Sequence, residues 1–287
     1  MRPLAQSIPE AIPSLASQRP VGAGEYIGPD GLIRCSACGE PRQCSIRLPW
    51  QNAPAILPCS CGCEAKGLED ERRESYARTR AKSLSMAPAG LQLPYEGRAS
   101  FESVDASADP YPRLIAYAGR FSSGRRPEPG LLLIGPPGCG KTLAARCIAD
   151  AALDAGFTAL VTSCPRIVNS MADLRGPSRN ELADSLCRFG LVVADDFGSE
   201  RQTDAAREQL FIALDALYRS KATLIVATCM GLRDMKSPPD ASRSQIYGRL
   251  LEKCAPVSFP DTDWRRARAK GTLEAARAIT SPASPEP

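Results

Sequence analysis

Residues 131–142 read LLLIGPPGCGKT: four apolar residues, a loop of glycines and prolines, then lysine and threonine. Leu131–Ile134 has the length and apolar continuity of a buried strand. Lys141–Ala155 places Ala144, Cys147, Ile148, Ala151 and Ala152 on one helical face, with Gly156 as a C-terminal stop. Between them, Gly135-Pro136-Pro137-Gly138-Cys139-Gly140-Lys141-Thr142 fits G-x-x-x-x-G-K-[ST] in the strand–loop–helix setting that the motif needs. Glycines let the backbone wrap until successive N–H groups point inward at phosphate oxygens, and the helix adds its positive dipole end. On this reading Lys141 reaches the β- and γ-phosphates of ATP and the Thr142 hydroxyl ligates Mg²⁺.

Such a loop needs an acid at the end of a second buried strand. Leu191-Val192-Val193-Ala194-Asp195-Asp196 supplies it. Asp195 is suited to hold the magnesium and Asp196 to orient or deprotonate an attacking water. Further strands are expected at Thr158–Thr162, Thr223–Ala227 and Pro256–Phe259, and helices at Arg179–Arg188 and Asp204–Arg219. Five buried strands separated by helices define an α/β fold whose parallel sheet is covered on both faces.

The whole composition narrows the chemistry. With 43% hydrophobic and 24% charged residues the chain is neither fully disordered nor fibrous. It has no histidine, which removes Ser-His-Asp and Cys-His catalysis and every histidine metal site. A net charge of +4 is compatible with a nucleic-acid partner without specifying one. The apolar runs are too short to span a bilayer, and the proline-broken N-terminus lacks a signal-peptide core. A cytoplasmic setting is therefore expected, with the 12 cysteines reduced or bound to metal.

Half of those cysteines lie between Cys35 and Cys63. Cys35-x2-Cys38 is followed by Cys59-Ser60-Cys61-Gly62-Cys63, a separation resembling two zinc knuckles. Tetrahedral zinc takes four thiolates; Cys35, Cys38 and Cys59 are expected ligands, completed by Cys61 or alternatively Cys63, with Cys44 spare. An iron–sulfur cluster and plain thiols are the competing readings. Zinc suits a segment too short and polar to fold on burial alone. The chain then divides into a flexible lead-in (1–30), the cysteine module (31–64), a charged linker helix and connector (65–97), an ATPase domain (98–270) and a tail (271–287), of which 279–287 looks disordered. Pro110, Pro112 and Pro127 punctuate the approach to the ATPase domain. Trp264-Arg265-Arg266 with Arg268 and Lys270 forms a basic segment able to touch single-stranded DNA or simply to face solvent.

The stretch from about 98 to 270 resembles AAA+ ATPases of the DnaC/IstB group, bacterial and phage helicase loaders and transposition ATPases. Phe101-Glu102, GLLLIGPPGCGKT (130–142), LVVADDFG (191–198), FIALDALY (211–218) and GRLLEKCAPVSFPDTDWR (248–265) occur in the family's order. The resemblance implies a sheet of order 5-1-4-3-2, an arginine finger at Arg249 with Arg243 in reserve, and Phe101 near the adenine. Three positions depart from it: Cys229 replaces the usual asparagine sensor of the γ-phosphate, Leu217 an arginine, and Gln245 another arginine. A thiol is a poor hydrogen-bond donor, so slow hydrolysis is implied. The cysteine module, charged helix and ATPase together resemble phage and Gram-positive helicase loaders. That layout implies a replicative DNA helicase and single-stranded DNA as partners, a homo-oligomer or ring-associated assembly, and no membrane. A transposition-assisting ATPase and a non-hydrolysing adaptor are the alternatives.

Overall fold

The structure is a computed structural model that describes residues 20–47, 54–94, 97–174 and 176–266, with 269, 271, 272 and 276. The chain forms two compact units, Met1–Glu74 and Ser75–Pro287.

In the first unit two short antiparallel ladders form: β1 (Glu25–Ile27) with β2 (Ile33–Cys35), and β3 (Gln43–Ile46) with β4 (Ala55–Pro58). The β1–β2 turn closes through Gly31 N–H to the Gly28 carbonyl at 2.9 Å, with Gly31 at φ +74°. Arg42 binds Glu25 at 3.1 Å and Glu64 at 2.5 Å, and the side-chain Oε1 of Gln43 accepts from Ile33 N–H. Among the described residues of this unit the buried hydrophobic ones are Leu32, Ile33, Cys35 and Cys61, too few to offset the entropy of ordering the segment. Helix α1 (Gly62–Met86) starts here and ends in the second unit. The expected 65–97 linker is thus one long helix as far as Met86, divided by compactness at Glu74.

The second unit holds five parallel strands: β5 (Gly130–Ile134), β6 (Ala159–Ser163), β7 (Leu191–Phe197), β8 (Thr223–Thr228) and β9 (Cys254–Ser258). Their spatial order is β6-β7-β8-β5-β9, which is 5-1-4-3-2 when counted within this sheet from its β9 edge. Alternation along each strand divides the core. Leu132, Ile134, Val192, Ala194, Leu224 and Val226 face helices α4 (Cys164–Ala172), α5 (Pro177–Leu186), α6 (Asp204–Arg219) and α8 (Ala241–Lys253). Leu131, Leu133, Leu191, Val193, Ile225 and Ala227 face α2 (Tyr111–Ser122) and α3 (Lys141–Asp154). A short helix, α7 (Leu232–Lys236), follows β8.

Two expectations change here. Pro110 and Pro112 do not interrupt the chain but open α2, at its N-cap and in its first turn, where a missing N–H costs nothing. Strand β7 continues through Asp195 and Asp196 to Phe197. The second half of α1 is fixed by Tyr76, whose hydroxyl donates to buried Asp150 at 2.8 Å; Ala99 N–H donates to the same carboxylate at 2.7 Å. Burial pushes the Asp150 carboxyl up.

Gly130 lets β5 approach β8, because a Cβ there would run into the Leu224 carbonyl oxygen. Gly130→Ala is expected to lower stability by about 1–3 kcal/mol, an overpacking cost. Urea unfolding followed by circular dichroism measures it, and an unshifted midpoint refutes the close approach.

Candidate functional site

The loop between β5 and α3 is shaped by positions that tolerate only glycine. Gly138 (φ +84°) and Gly140 (φ +104°) lie in the left-handed region, and Gly140 is the N-cap of α3. A Cβ on Gly140 would meet the Tyr111 hydroxyl at 2.6 Å, and one on Gly135 would meet Cys139 Sγ and Phe259 Cβ at 2.9 Å. Tyr111 and Phe259, 6.1 Å apart edge to face, therefore wall the loop. They come from α2 and from the end of β9, and no local signal in the sequence connects them to it.

Lys141 is 8% exposed, and its ammonium donates at 2.8 Å to the carbonyls of Gly135 and Pro136. Two sulfurs complete its surroundings, Cys139 Sγ at 3.7 Å and Cys229 Sγ at 3.6 Å. Cys229 is exposed at the end of β8, so a thiol does stand beside the loop lysine.

Asp195 is buried and accepts a hydrogen bond from the Thr142 hydroxyl, which joins the start of α3 to the end of β7. Burial pushes its carboxyl up; the Thr142 bond lowers it and the neighbouring Asp196 charge raises it. Between Ala194 (opposite Val226) and Phe197 (opposite Thr228), β7 takes three steps against two on β8. This bulge turns Asp196 out at φ +55°, exposed, with its N–H bonded to Asp195 Oδ1 at 2.9 Å. The two acids therefore face different surroundings, one buried against Thr142 and one open to solvent. The Thr228 hydroxyl donates to the Phe197 carbonyl at 2.8 Å and fixes the two strand ends together. Lys141, Thr142, Asp195 and Cys229 are thus gathered at the C-terminal ends of β5, β7 and β8, where parallel sheets place ligands.

Arg249 is engaged elsewhere. Its Nε donates to Asp215 at 2.6 Å, a second nitrogen donates to the Gln245 carbonyl, and the guanidinium lies 4.6 Å from the Phe211 ring centre. Burial pushes the Asp215 carboxyl up, but Arg219 and Arg249 outweigh it and hold the group below the ordinary carboxylate value. Arg243 binds Asp240 and Gln202 beside an open cleft of about 540 Å³ that Phe197, Met230 and Tyr247 also line. Leu217 is fully buried in the core and Gln245 is exposed. Phe101 packs against the α2–α3 core. Trp264, Arg265 and Arg266 are exposed, whereas Arg268, Lys270 and 279–287 lie outside the described residues, as do most of 1–30.

In the first unit the sulfurs of Cys35, Cys38, Cys61 and Cys63 lie within 4.8 Å of one another. The expected place of Cys59 in that set is corrected: Cys63 takes it. Cys59 N–H bonds the Arg42 carbonyl and prolongs the β3–β4 pairing, its thiol donates to the Pro41 carbonyl at 3.3 Å, and Cys44 is its neighbour. The chain then turns into α1, bringing Cys61 and Cys63 back together at 3.2 Å. N–H groups of Cys38 and Ala37 draw the Cys35 thiol down to about 6, while the thiols of Cys61 and Cys35 push Cys63 up to about 12. Four sulfurs this close cannot all ionise unaided, and a divalent cation among them removes that cost. The donor set fits zinc.

The family model described as IstB-like ATP binding protein matches residues 71–270. No curated protein matches the chain. Among solved structures, DnaI is similar at 20% identity over 58% of this chain and 90% of its own, with a TM-score of 0.48. The DnaC helicase loader is similar at 21% over 56% and 97%, TM-score 0.47. AMPPCP-bound DnaA from Aquifex aeolicus is similar at 16% over 63% and 56%, TM-score 0.47.

Two outcomes are expected. Cys63→Ser loses bound zinc while Cys59→Ser keeps it, measured by metal analysis of the purified protein; zinc retained by Cys63→Ser dismisses the regrouping. A metal ion needs the Asp195 carboxylate ionised, and its pKa is raised. Magnesium-dependent nucleotide affinity should therefore fall on acidification at a pH above the ordinary carboxylate value of 3.8. Calorimetric titration at several pH values tests this, with Asp195→Asn expected to flatten the dependence.

Proposed function

The chain belongs to the family of IstB-like ATP-binding proteins, and from this we propose a slow, switch-like ATPase of DNA replication that loads a replicative helicase onto DNA. The observation carrying the nucleotide reading is the joining of three segments at one point: the glycine loop of 135–140, Lys141–Thr142, and buried Asp195 bonded to Thr142.

Free N–H groups of the loop would hold the phosphates, with the α3 dipole behind them. Lys141 would exchange the carbonyls of Gly135 and Pro136 for phosphate oxygens, a short movement because its amine already lies inside the loop. Thr142 and Asp195 would hold Mg²⁺, which would supply charge neutralisation for the bound phosphates. Asp196, turned out by the bulge, would orient water. Cys229, a weak donor at 3.6 Å from Lys141, would do little for the γ-phosphate, which supports slow turnover. Arg249 would serve a second copy of the chain only after leaving Asp215.

Cys35, Cys38, Cys61 and Cys63 would hold a structural zinc, giving a β-hairpin module that docks to helicase or DNA. The arrangement of cysteine module, long charged helix and ATPase supports a helicase loader over a transposition-assisting ATPase, whose relatives usually begin with helices. One second reading has its own observation. Cys229 at the lysine and Arg249 bound to Asp215 also suit a nucleotide-binding adaptor that does not hydrolyse ATP.

Steady-state ATPase assays with single-stranded DNA and a replicative helicase, set against Lys141→Ala, decide between them. Turnover above the variant, with helicase retained on closed circular single-stranded DNA, is the expected result. Nucleotide binding with turnover equal to the variant selects the adaptor, and helicase left unloaded despite turnover removes the loader role.

A further inference from the structure

The nucleotide loop has a second contact, with the chain that follows β9. After β9 the chain runs along the loop and is attached to it at both ends. Phe259 N–H donates to the Ile134 carbonyl at 2.7 Å, and Trp264 N–H donates to the Gly138 carbonyl at 3.1 Å. Between these attachments the Asp263 carboxylate lies against Gly138 so closely that a Cβ there would overlap its Oδ1.

That carboxylate is out of place electrostatically. A negative group beside amides directed at phosphates opposes their occupancy. Asp263 is neutralised locally: Oδ1 accepts from the N–H groups of Arg265 (3.0 Å) and Arg266 (3.2 Å), and Oδ2 pairs with Arg266 Nε at 3.2 Å. It thereby also sets the helical turn at Trp264–Arg266. Anything that displaces Gly138, or adds negative charge to the loop, acts on Asp263 first and on this turn next. Trp264 is 50% exposed, and both arginines are exposed, so the turn is free to respond.

We propose that Asp263 and Trp264 form a nucleotide-responsive clasp on the loop, through which phosphate bound at Gly138 shifts the basic turn Trp264–Arg266. Asp263 is a positioning residue in this account. The inference rests on the ATP-binding reading, and it adds to it a physical link between the occupied loop and the basic segment, whose sequence suits either single-stranded DNA or solvent.

Trp264 is one of two tryptophans in the chain, which makes the clasp observable. The experiment compares tryptophan emission of the full-length protein and Trp264→Phe during titration with MgADP and with a non-hydrolysable ATP analogue. Nucleotide affinity is measured separately by equilibrium dialysis. A saturable emission change in the wild type, absent from Trp264→Phe and with its midpoint at the dialysis Kd, is expected. Asp263→Asn, which still caps the turn but removes the charge, should bind nucleotide with the change diminished, whereas Asp263→Ala should bind nucleotide with the change lost. Binding by dialysis with flat emission overturns the clasp, as does a change that survives in Trp264→Phe or Asp263→Ala. Folded wild-type protein that binds no nucleotide in dialysis overturns the ATP-binding reading instead. The wild-type and Trp264→Phe titrations decide the matter even where an Asp263 variant fails to fold.

Discussion

A lysine ammonium withdrawn from water must have partners, and in this chain the partners are the carbonyls of the loop that precedes it. Lys141 is buried and satisfied by Gly135 and Pro136. That arrangement demands left-handed backbone at Gly138 and Gly140, a sheet strand delivering the loop from below, and a helix starting at Lys141 itself. It also demands room, which Tyr111 and Phe259 limit from two sides. The buried sheet is what makes these requirements compatible. Because β5 lies inside the sheet and is paired on both edges, its end cannot shift without disturbing β8 and β9.

The first unit obeys a different constraint. Its ladders are three and four residues long and its buried apolar set is small, so burial cannot fix the hairpins against chain entropy. What the hairpins do achieve is the convergence of four sulfurs, and thiolate–zinc bonds are able to supply ~10–16 kcal/mol in modules of this kind. Metal binding and folding would then be one event, and the charged helix α1 would have a fixed starting point only in the metal-bound state.

How far the sequence could be read follows from which interactions are local. The loop, its strand and its helix are contiguous, so residues 131–155 show their structure in their own spacing. Asp195 was legible because an apolar strand ending in acid is also a local pattern; the bulge that turns Asp196 outward depends on pairing with β8 and was not. Cys59 shows the same limit. Counting spacers favours it as a ligand, but its backbone bond to Arg42 belongs to a hairpin that spacing does not reveal. Tyr111, Phe259 and Asp263 reach the loop from elements distant in sequence. Helix α2 was hidden behind prolines that mark a break or a helix start with equal force until the following turn is known.

The departure at Leu217 and the engagement of Arg249 with Asp215 have a common explanation. Leu217 fills the core between α6 and the sheet, where a guanidinium would lack a partner. Asp215, two residues earlier, points the other way and is left to recruit cations from outside its own motif, which it finds in Arg219 and Arg249. The hold on Arg249 is modest: a solvent-accessible ion pair contributes about 0.2–1 kcal/mol, here with side chains 24% and 22% exposed, and a guanidinium over an aromatic ring about 0.5–1 kcal/mol. Under the proposed function, a γ-phosphate presented by a neighbouring copy would compete with that sum, because charge-assisted contacts are stronger where water is excluded than at an open surface. Under the proposed function Arg249 would be stored rather than lost, and the Asp215 pair is what a second copy of the chain would have to displace.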